Sequence, residues 1–219
     1  MKKVKLIPTL LTQSLAEFKE KLKQIENIFS LVQIDCMDNK FVNNKTFYNL
    51  NQIRKIRTKA EYELHLMVID PVKMIKKWGG FKKVKKIVFH YEAVKRIEIL
   101  EIIKLIRSKK IKPGLAINPE TNVKKFEQYI PQLDTVFLMG VQPGWGGQKL
   151  KPSVLHKAKY LRKKYPKLNI EIDGGVTIKN IPEIIKSGVN LISAGTLIFS
   201  AQDLKKNCQE IKQLIKIHK

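Results

Sequence analysis

The sequence predicts an α/β fold, a single (β/α)8 barrel of the TIM-barrel type. Eight short β-branched segments alternate with amphipathic segments whose apolar residues recur at intervals of three and four. The alternation runs to the end of the chain, and 219 residues suit one barrel with no second domain. An open doubly wound sheet is the alternative, but no Gly-x-Gly-x-x-Gly follows the first strand segment. We therefore treat residues 1–219 as one domain.

Each predicted element follows from this periodicity. The predicted strands are 4–9, 31–37, 62–68, 86–91, 112–118, 135–141, 169–173 and 191–195. The predicted helices are 14–28, 71–78, 94–110, 122–130, 151–165, 178–188 and 201–219, with a short helix near 49–57. In a barrel the carboxyl ends of all strands meet at one face, so polar residues at strand ends converge there.

The chain is strongly basic, with 43 Lys and Arg against 19 Asp and Glu and a formal net charge of +24. The lysines lie on the polar faces of predicted helices, as in 19–24, 82–86 and 157–164. We therefore expect a solvated lysine-rich surface and no nucleic-acid partner, with polyanion binding as the alternative. The same charge would speed the capture of a phosphorylated substrate.

The sequence also predicts a cytoplasmic protein without a membrane segment. No apolar run approaches the roughly 18 residues that span a bilayer, and the N-terminus lacks a secretion signal. Cys36 and Cys208 have no metal-ligand spacing, so we expect reduced thiols.

Three glycine-containing segments follow apolar runs in the last third of the chain. They are LMGVQPGWGGQ at 138–148, IEIDGG at 170–175 and LISAGT at 191–196. Glycine at this density lets backbone N–H groups approach an anion closely. One such pair is commonly only a turn, but three at successive strand ends indicate one shared phosphate site.

Polar side chains interrupt the predicted strands. Asp35 lies within an apolar run and Asp173 ends another, a costly setting unless each carboxylate is paired or binds metal. Gln33 points to the same side of its strand as Asp35, and His65 lies in the next strand. For His90 we expect a structural or substrate-lining role. Two carboxylates facing one carbon suit proton removal from one face and return to the other, whereas satisfied structural carboxylates are the alternative. With a phosphate site, the pattern points to isomerisation or epimerisation of a sugar phosphate.

Over essentially its whole length, the chain resembles the ribulose-phosphate 3-epimerase family. The matching segments, in order, are IPTLL (7–11), IDCMDNKFVNN (34–44), ELHLMVIDP (63–71), FHYEA (89–93), GLAINPET (114–121), LMGVQPGWGGQ (138–148), IEIDGGV (170–176) and SAGTLIF (193–199). The resemblance implies a metal-dependent (β/α)8 barrel that interconverts D-ribulose 5-phosphate and D-xylulose 5-phosphate. It also implies a homo-oligomer, either a dimer or a hexamer.

The resemblance implies a role for individual residues. Asp35 and Asp173 correspond to the acid–base carboxylates, which also bind the metal, and His65 corresponds to a histidine ligand that also faces the substrate. The implied substrate-binding and phosphate-binding residues are Thr9, Met37, Met67, Met139, Gly144, Trp145, Gly146, Gly147, Gly174, Gly175, Gly195 and Thr196. Thr9 replaces a serine of the family and keeps its hydroxyl. The three methionines would give a soft surface around the reacting carbon, and barrel packing explains them equally well.

The chain departs from the family pattern at the metal site. Gln33 replaces a second metal-binding histidine, and its carboxamide is a weaker ligand for zinc-like ions. We expect one divalent ion (Zn²⁺, Fe²⁺, Mn²⁺ or Co²⁺) held by Asp35, His65 and Asp173, with Gln33 or water completing the set. Asn39 and Lys40 replace a Gly-His pair in a loop that runs to Asn44 and lacks the usual proline. A 3-epimerase for a ketohexose 6-phosphate such as allulose 6-phosphate, or a non-catalytic phosphate- or polyanion-binding relative, are the alternatives.

Overall fold

The computed structural model describes residues 2–218, and eight parallel strands close into a barrel in chain order. The strands are β1 (Lys5–Leu10), β2 (Leu31–Met37), β3 (Glu61–Met67), β4 (Val84–His90), β5 (Lys112–Ile117), β6 (Thr135–Met139), β7 (Asn169–Asp173) and β8 (Leu191–Ala194). Strand β1 pairs with β8 and completes the circle. The predicted (β/α)8 barrel is confirmed.

Eight α-helices accompany the strands in the described range 2–218. They are α1 (Leu15–Ile25), α2 (Leu50–Ile53), α3 (Pro71–Trp78), α4 (Ile99–Ser108), α5 (Ser153–Lys164), α6 (Ile181–Lys186), α7 (Thr196–Phe199) and α8 (Leu204–Ile217). Side chains of Ser14, Asp70 and Asp203 accept hydrogen bonds from backbone N–H groups in the first turns of α1, α3 and α8. None of the helices described is long and apolar enough to span a membrane.

The structure differs from the predicted elements in three main places. The segment predicted as a helix over 122–130 forms two 3-10 segments, Val123–Lys125 and Glu127–Gln132, because Phe126 leaves the helical region at φ −121°. The helix predicted from residue 94 begins at Ile99, after a 3-10 turn. The single turn α7 was not predicted, because four residues carry no measurable periodicity. The predicted end of the last helix, at residue 219, lies outside the described residues.

The barrel wall is apolar on its outer face and partly polar within. Strand residues and inward helix faces form one large hydrophobic cluster that includes Tyr62 and Trp78, both fully buried. Inside the barrel, Lys86 Nζ lies 2.6 Å from Glu63 Oε2 and 2.5 Å from Glu171 Oε2. Such a buried cation needs both partners to offset its desolvation. This buried ion cluster lies below the strand ends.

Candidate active site

A cavity of about 470 Å³ opens at the carboxyl ends of the strands. The structure brings the predicted site residues together there, with Gln33 lying buried beneath. Those lining the cavity are Thr9, Asp35, Met37, His65, Met67, Met139, Gly144, Trp145, Gly146, Gly147, Asp173, Gly174, Gly175, Gly195 and Thr196. Parallel pairing explains the convergence, since all eight strands end at this face.

Three potential metal ligands meet inside the cavity. Asp35 and His65 are register partners on β2 and β3, and their Oδ1 and Nδ1 atoms lie 3.1 Å apart. Asp173 reaches in from β7, with Oδ2 at 3.8 Å from the same His65 nitrogen. One ligand atom from each residue lies within 4.8 Å of the others. Such separations suit ligands around one divalent ion.

The carboxamide of Gln33 connects these three side chains. Its Nε2 donates to Asp35 Oδ1 at 2.8 Å and to Asp173 Oδ2 at 2.6 Å, and it lies 3.4 Å from His65 Nδ1. Its Oε1 is buried and has no hydrogen-bond partner within residues 2–218. Because a half-turn of the amide exchanges nitrogen and oxygen, Gln33 can present either a donor or an oxygen ligand here. The residues present therefore fit a divalent cation.

The two carboxyl groups have pKa values close to neutrality. Burial raises the pKa of Asp35 to about 7, against the opposing hydrogen bond from Gln33. Burial and then the negative charge of Asp35 raise the pKa of Asp173 to about 7. Burial lowers the pKa of His65 to about 4, so its imidazole is neutral and can act as a ligand. Carboxyl groups that titrate near the working pH can both take up and release a proton.

Apolar side chains and one hydroxyl surround the carboxylates. Met37 and Met67 are register partners on β2 and β3, and Met139 lies beside Asp173 on the opposite wall. Thr9 Oγ1 is buried and has no partner among the residues described. This hydroxyl is therefore available to a bound polar molecule.

Three glycine loops form one side of the cavity. Gly175 has φ +71°, and a Cβ there would lie 2.3 Å from the backbone nitrogen of Leu150. A Cβ on Gly146 would lie 3.2 Å from Thr196 Oγ1. The loops after β6, β7 and β8 thus lie together at one side of the cavity, where glycine allows backbone N–H groups to approach an anion closely.

The loop after β2 reaches across to this glycine wall. Asn39 adopts the left-handed conformation at φ +59°, as asparagine readily does. Asn44 Nδ2 donates to the carbonyl oxygen of Gly144 at 2.6 Å. The sequence indicated a changed loop at 39–44, but nothing in it predicted this contact over 100 positions.

His90 lies behind His65 and does not line the cavity. Its Nε2 is 2.9 Å from Nε2 of His65, and its Nδ1 is 3.5 Å from Oε2 of Glu92. Because it lies in an apolar strand, the sequence predicts a structural or substrate-lining role for His90. The structure places His90 against the candidate ligand His65 and outside the cavity lining. Glu92 carries no sequence signal beyond its place two residues after His90.

Comparison with known proteins gives a consistent result. The model of the ribulose-phosphate 3 epimerase family matches residues 5–199. The ribulose-phosphate 3-epimerase of Schizosaccharomyces pombe is 36% identical over 207 residues, covering 92% of this chain and 90% of the relative. The ribulose-phosphate 3-epimerase of Bacillus subtilis is 33% identical over 217 residues, covering 95% of this chain and 98% of the relative.

Solved structures share the architecture. The 3-hexulose-6-phosphate synthase from Salmonella typhimurium superposes with a TM-score of 0.73, covering 99% of this chain and 100% of that chain. Its sequence identity is 14%, so this likeness speaks to the barrel alone.

Proposed function

Because the chain belongs to the ribulose-phosphate 3-epimerase family, as its motifs predicted, we propose that it is an isomerase interconverting D-ribulose 5-phosphate and D-xylulose 5-phosphate. Membership confirms the predicted isomerase class. The observation that carries the proposal is the meeting of Asp35 and Asp173 in one cavity beside three glycine loops. Epimerisation at C3 can proceed through two groups that transfer a proton on opposite faces of the carbon, and a phosphate site can hold a phosphorylated ketose between them.

In the proposed reaction one aspartate removes the proton from C3 of the ketose. The other aspartate delivers a proton to the opposite face of the resulting cis-enediolate, and the direction of reaction decides which acts first. In the metal-free site burial raises the pKa values of both carboxyl groups to about 7, and a bound cation would lower them. Met37, Met67 and Met139 exclude water from the reacting carbon, and the Thr9 hydroxyl can orient a substrate hydroxyl.

We propose that one divalent ion (Zn²⁺, Fe²⁺, Mn²⁺ or Co²⁺) binds Asp35, His65 and Asp173. The unsatisfied Oε1 of Gln33 supports a fourth ligand after a half-turn of its amide, with water as the alternative. When bound, such an ion supplies positive charge that stabilises the enediolate oxygens. In its absence, Gln33 Nε2 already donates to both carboxylates.

The substrate phosphate would lie against the glycine wall formed by Gly144, Trp145, Gly146, Gly147, Gly174, Gly175, Gly195 and Thr196. Accessible backbone N–H groups there can donate to phosphate oxygens. The lysine-rich surface supports rapid capture of such an anion. The family resemblance supports a cytoplasmic location and a homo-oligomer, either a dimer or a hexamer. Light scattering on the purified protein measures the oligomeric state.

A coupled assay tests the proposal directly. The purified protein receives D-ribulose 5-phosphate with and without added divalent metal, and bound metal is measured in the same sample. We expect turnover that a chelator removes and metal restores, with one ion per chain. Turnover no greater than that of the Asp173→Asn variant would contradict the proposal. Activity that survives complete metal removal would contradict the metal site alone.

A second candidate keeps the chemistry and changes the sugar to a ketohexose 6-phosphate. The contact of Asn44 with Gly144 favours this candidate. The contact fixes the loop at 39–44, which lies at the cavity rim and departs from the family pattern. The ratio of kcat/KM for ribulose 5-phosphate and allulose 6-phosphate separates the two substrates. A ratio in favour of the hexose would replace the first proposal.

A further inference from the structure

Two buried histidine rings form a hydrogen-bonded pair behind the cavity. The rings of His65 and His90 are nearly coplanar, with 21° between their planes and 5.1 Å between their centroids. Their Nε2 atoms face each other at 2.9 Å. Both rings are completely buried. At this distance only one hydrogen fits between the two nitrogens, so one ring donates and the other accepts.

With one proton on each ring, two arrangements satisfy this pair. In the first, His65 donates from Nε2, His90 carries its proton on Nδ1 facing Glu92 Oε2 at 3.5 Å, and His65 Nδ1 is an open lone pair facing Asp35 and Asp173. In the second, every donor is reversed, so that His65 Nδ1 donates to Asp35 at 3.1 Å. A metal ion requires the first arrangement, because a protonated nitrogen cannot be a ligand.

Glu92 favours the first arrangement. Its Oε2 lies 3.5 Å from His90 Nδ1, and a carboxylate there accepts a proton donor and repels a lone pair. Its Oε1 accepts hydrogen bonds from the Asn118 N–H at 2.9 Å and from the Thr121 hydroxyl. Burial opposes its ionisation, but the neighbouring His90 imidazole and the hydrogen bonds from Thr121 and Asn118 lower the pKa of Glu92 overall. The loop after β5 thus holds an ionised carboxylate at the outer end of the histidine pair.

We propose that Glu92 and His90 are positioning residues that keep the His65 proton on Nε2 and so leave Nδ1 free to bind the divalent ion. This inference rests on the metal site of the proposed function. Neither residue touches the cavity, so both act through His65. Carboxylates that orient a histidine ligand in this way typically change metal affinity by about 10- to 100-fold when replaced.

The isosteric substitution Glu92→Gln is the critical test. An amide can donate to His90 Nδ1, which permits the reversed arrangement and places a proton on His65 Nδ1. The chain has four histidines, so nitrogen NMR of the metal-free, ¹⁵N-histidine-labelled protein can resolve the tautomer of His65. We expect protonated Nε2 in the wild type and a shift towards protonated Nδ1 in Glu92→Gln. Zinc affinity, measured against a chromophoric chelator, should weaken by about 10- to 100-fold.

The matched control is Glu101→Gln, which changes an exposed glutamate on α4 whose ion-pair partner, among residues 2–218, is Lys104 alone. It should leave both the tautomer and the zinc affinity unchanged. Protonated Nδ1 in the wild type would overturn the inference without any variant, as would a folded Glu92→Gln protein with wild-type tautomer and zinc affinity. A wild type with protonated Nε2 that binds no zinc would instead contradict the metal site, and with it the ligand role of Nδ1, but not the tautomer assignment.

Discussion

Gln33 is the residue at which this chain differs most consequentially from its family pattern. Its amide nitrogen lies among Asp35, His65 and Asp173, within 3.4 Å of a polar atom on each. A hydrogen-bond donor at this position partly offsets the negative charge of the two neighbouring carboxylates, as a cation would. Gln33 can therefore stabilise the site when no metal is bound and still offer an oxygen when one is.

Replacing Gln33 with histidine should strengthen the metal site. An imidazole nitrogen is a better ligand than a carboxamide oxygen for zinc-like ions, so we expect Gln33→His to bind Zn²⁺ about tenfold more tightly or better. Competition with a chromophoric chelator measures the change. Gln52→His, on the exposed surface of α2, controls for adventitious binding by an added histidine. Equal zinc affinity of wild type and Gln33→His would argue against a metal at this position.

The raised pKa of Asp35 predicts that the free energy of unfolding of the metal-free protein falls as pH rises. A carboxyl group with a folded pKa of about 7, above its unfolded value, contributes stability below the unfolded pKa and loses it as pH rises through 7. Asp35→Asn removes that loss. The free energy of unfolding of the variant, relative to wild type, should therefore rise between pH 5 and pH 8 by a few kcal/mol.

Urea unfolding of the metal-free proteins at several pH values measures this difference. Comparing variant with wild type cancels the opposite contribution of the histidines, whose lowered pKa values of about 4 make stability rise with pH over pH 4–6.5. Asp203→Asn, at the exposed N-cap of α8, controls for loss of a surface charge. A constant difference across the pH range would show that Asp35 titrates normally.

The sequence indicated the candidate ligands but not the hydrogen bonds that connect them. Asp35, His65 and Asp173 were recognisable because a charged or polar residue in an apolar strand needs a partner or a ligand. The hydrogen bonds from Gln33 to both carboxylates were not predictable, because they depend on side-chain torsions across β2, β3 and β7. For the same reason a structural or substrate-lining role was predicted for His90, but its pairing with His65 was not.

At the scale of elements, the glycine loops depend on backbone conformations that other residues resist. Gly175→Ala should lower the free energy of unfolding by about 1–3 kcal/mol, because φ is +71° and the added Cβ would lie 2.3 Å from Leu150 N. It should also raise KM for the phosphorylated substrate. Gly80→Ala is the matched control, since its Cβ would meet nothing within 4 Å. Equal stability of the two variants would contradict this description of the loop.

The strands were predicted well because buried β-branched runs bounded by turn residues leave few alternatives. The predicted range 31–37 and the observed β2, Leu31–Met37, are the same. The region 122–130 was less predictable, because its apolar residues keep helical spacing while Asn122 and Pro131 favour short turns at each end.

At the scale of the whole molecule, the charge of +24 raises the question of a polyanion partner. We interpret the lysines as a solvated surface, and therefore expect RNA to bind no more tightly than non-specific contacts allow. Fluorescence anisotropy with a labelled RNA at physiological salt should give a Kd no lower than about 10⁻⁶ M. Saturable binding well below that value would indicate a dedicated polyanion site.

We propose that Asp35 and Asp173 remove and return the C3 proton of a ketose phosphate on opposite faces. Incubation of D-ribulose 5-phosphate with the metal-loaded protein in D₂O, followed by NMR at C3, tests it most directly. We predict D-xylulose 5-phosphate that carries deuterium at C3, formed by the wild type and not by Asp35→Asn or Asp173→Asn. Product that retains its original C3 proton, or no product from a folded, metal-loaded protein, would contradict the account.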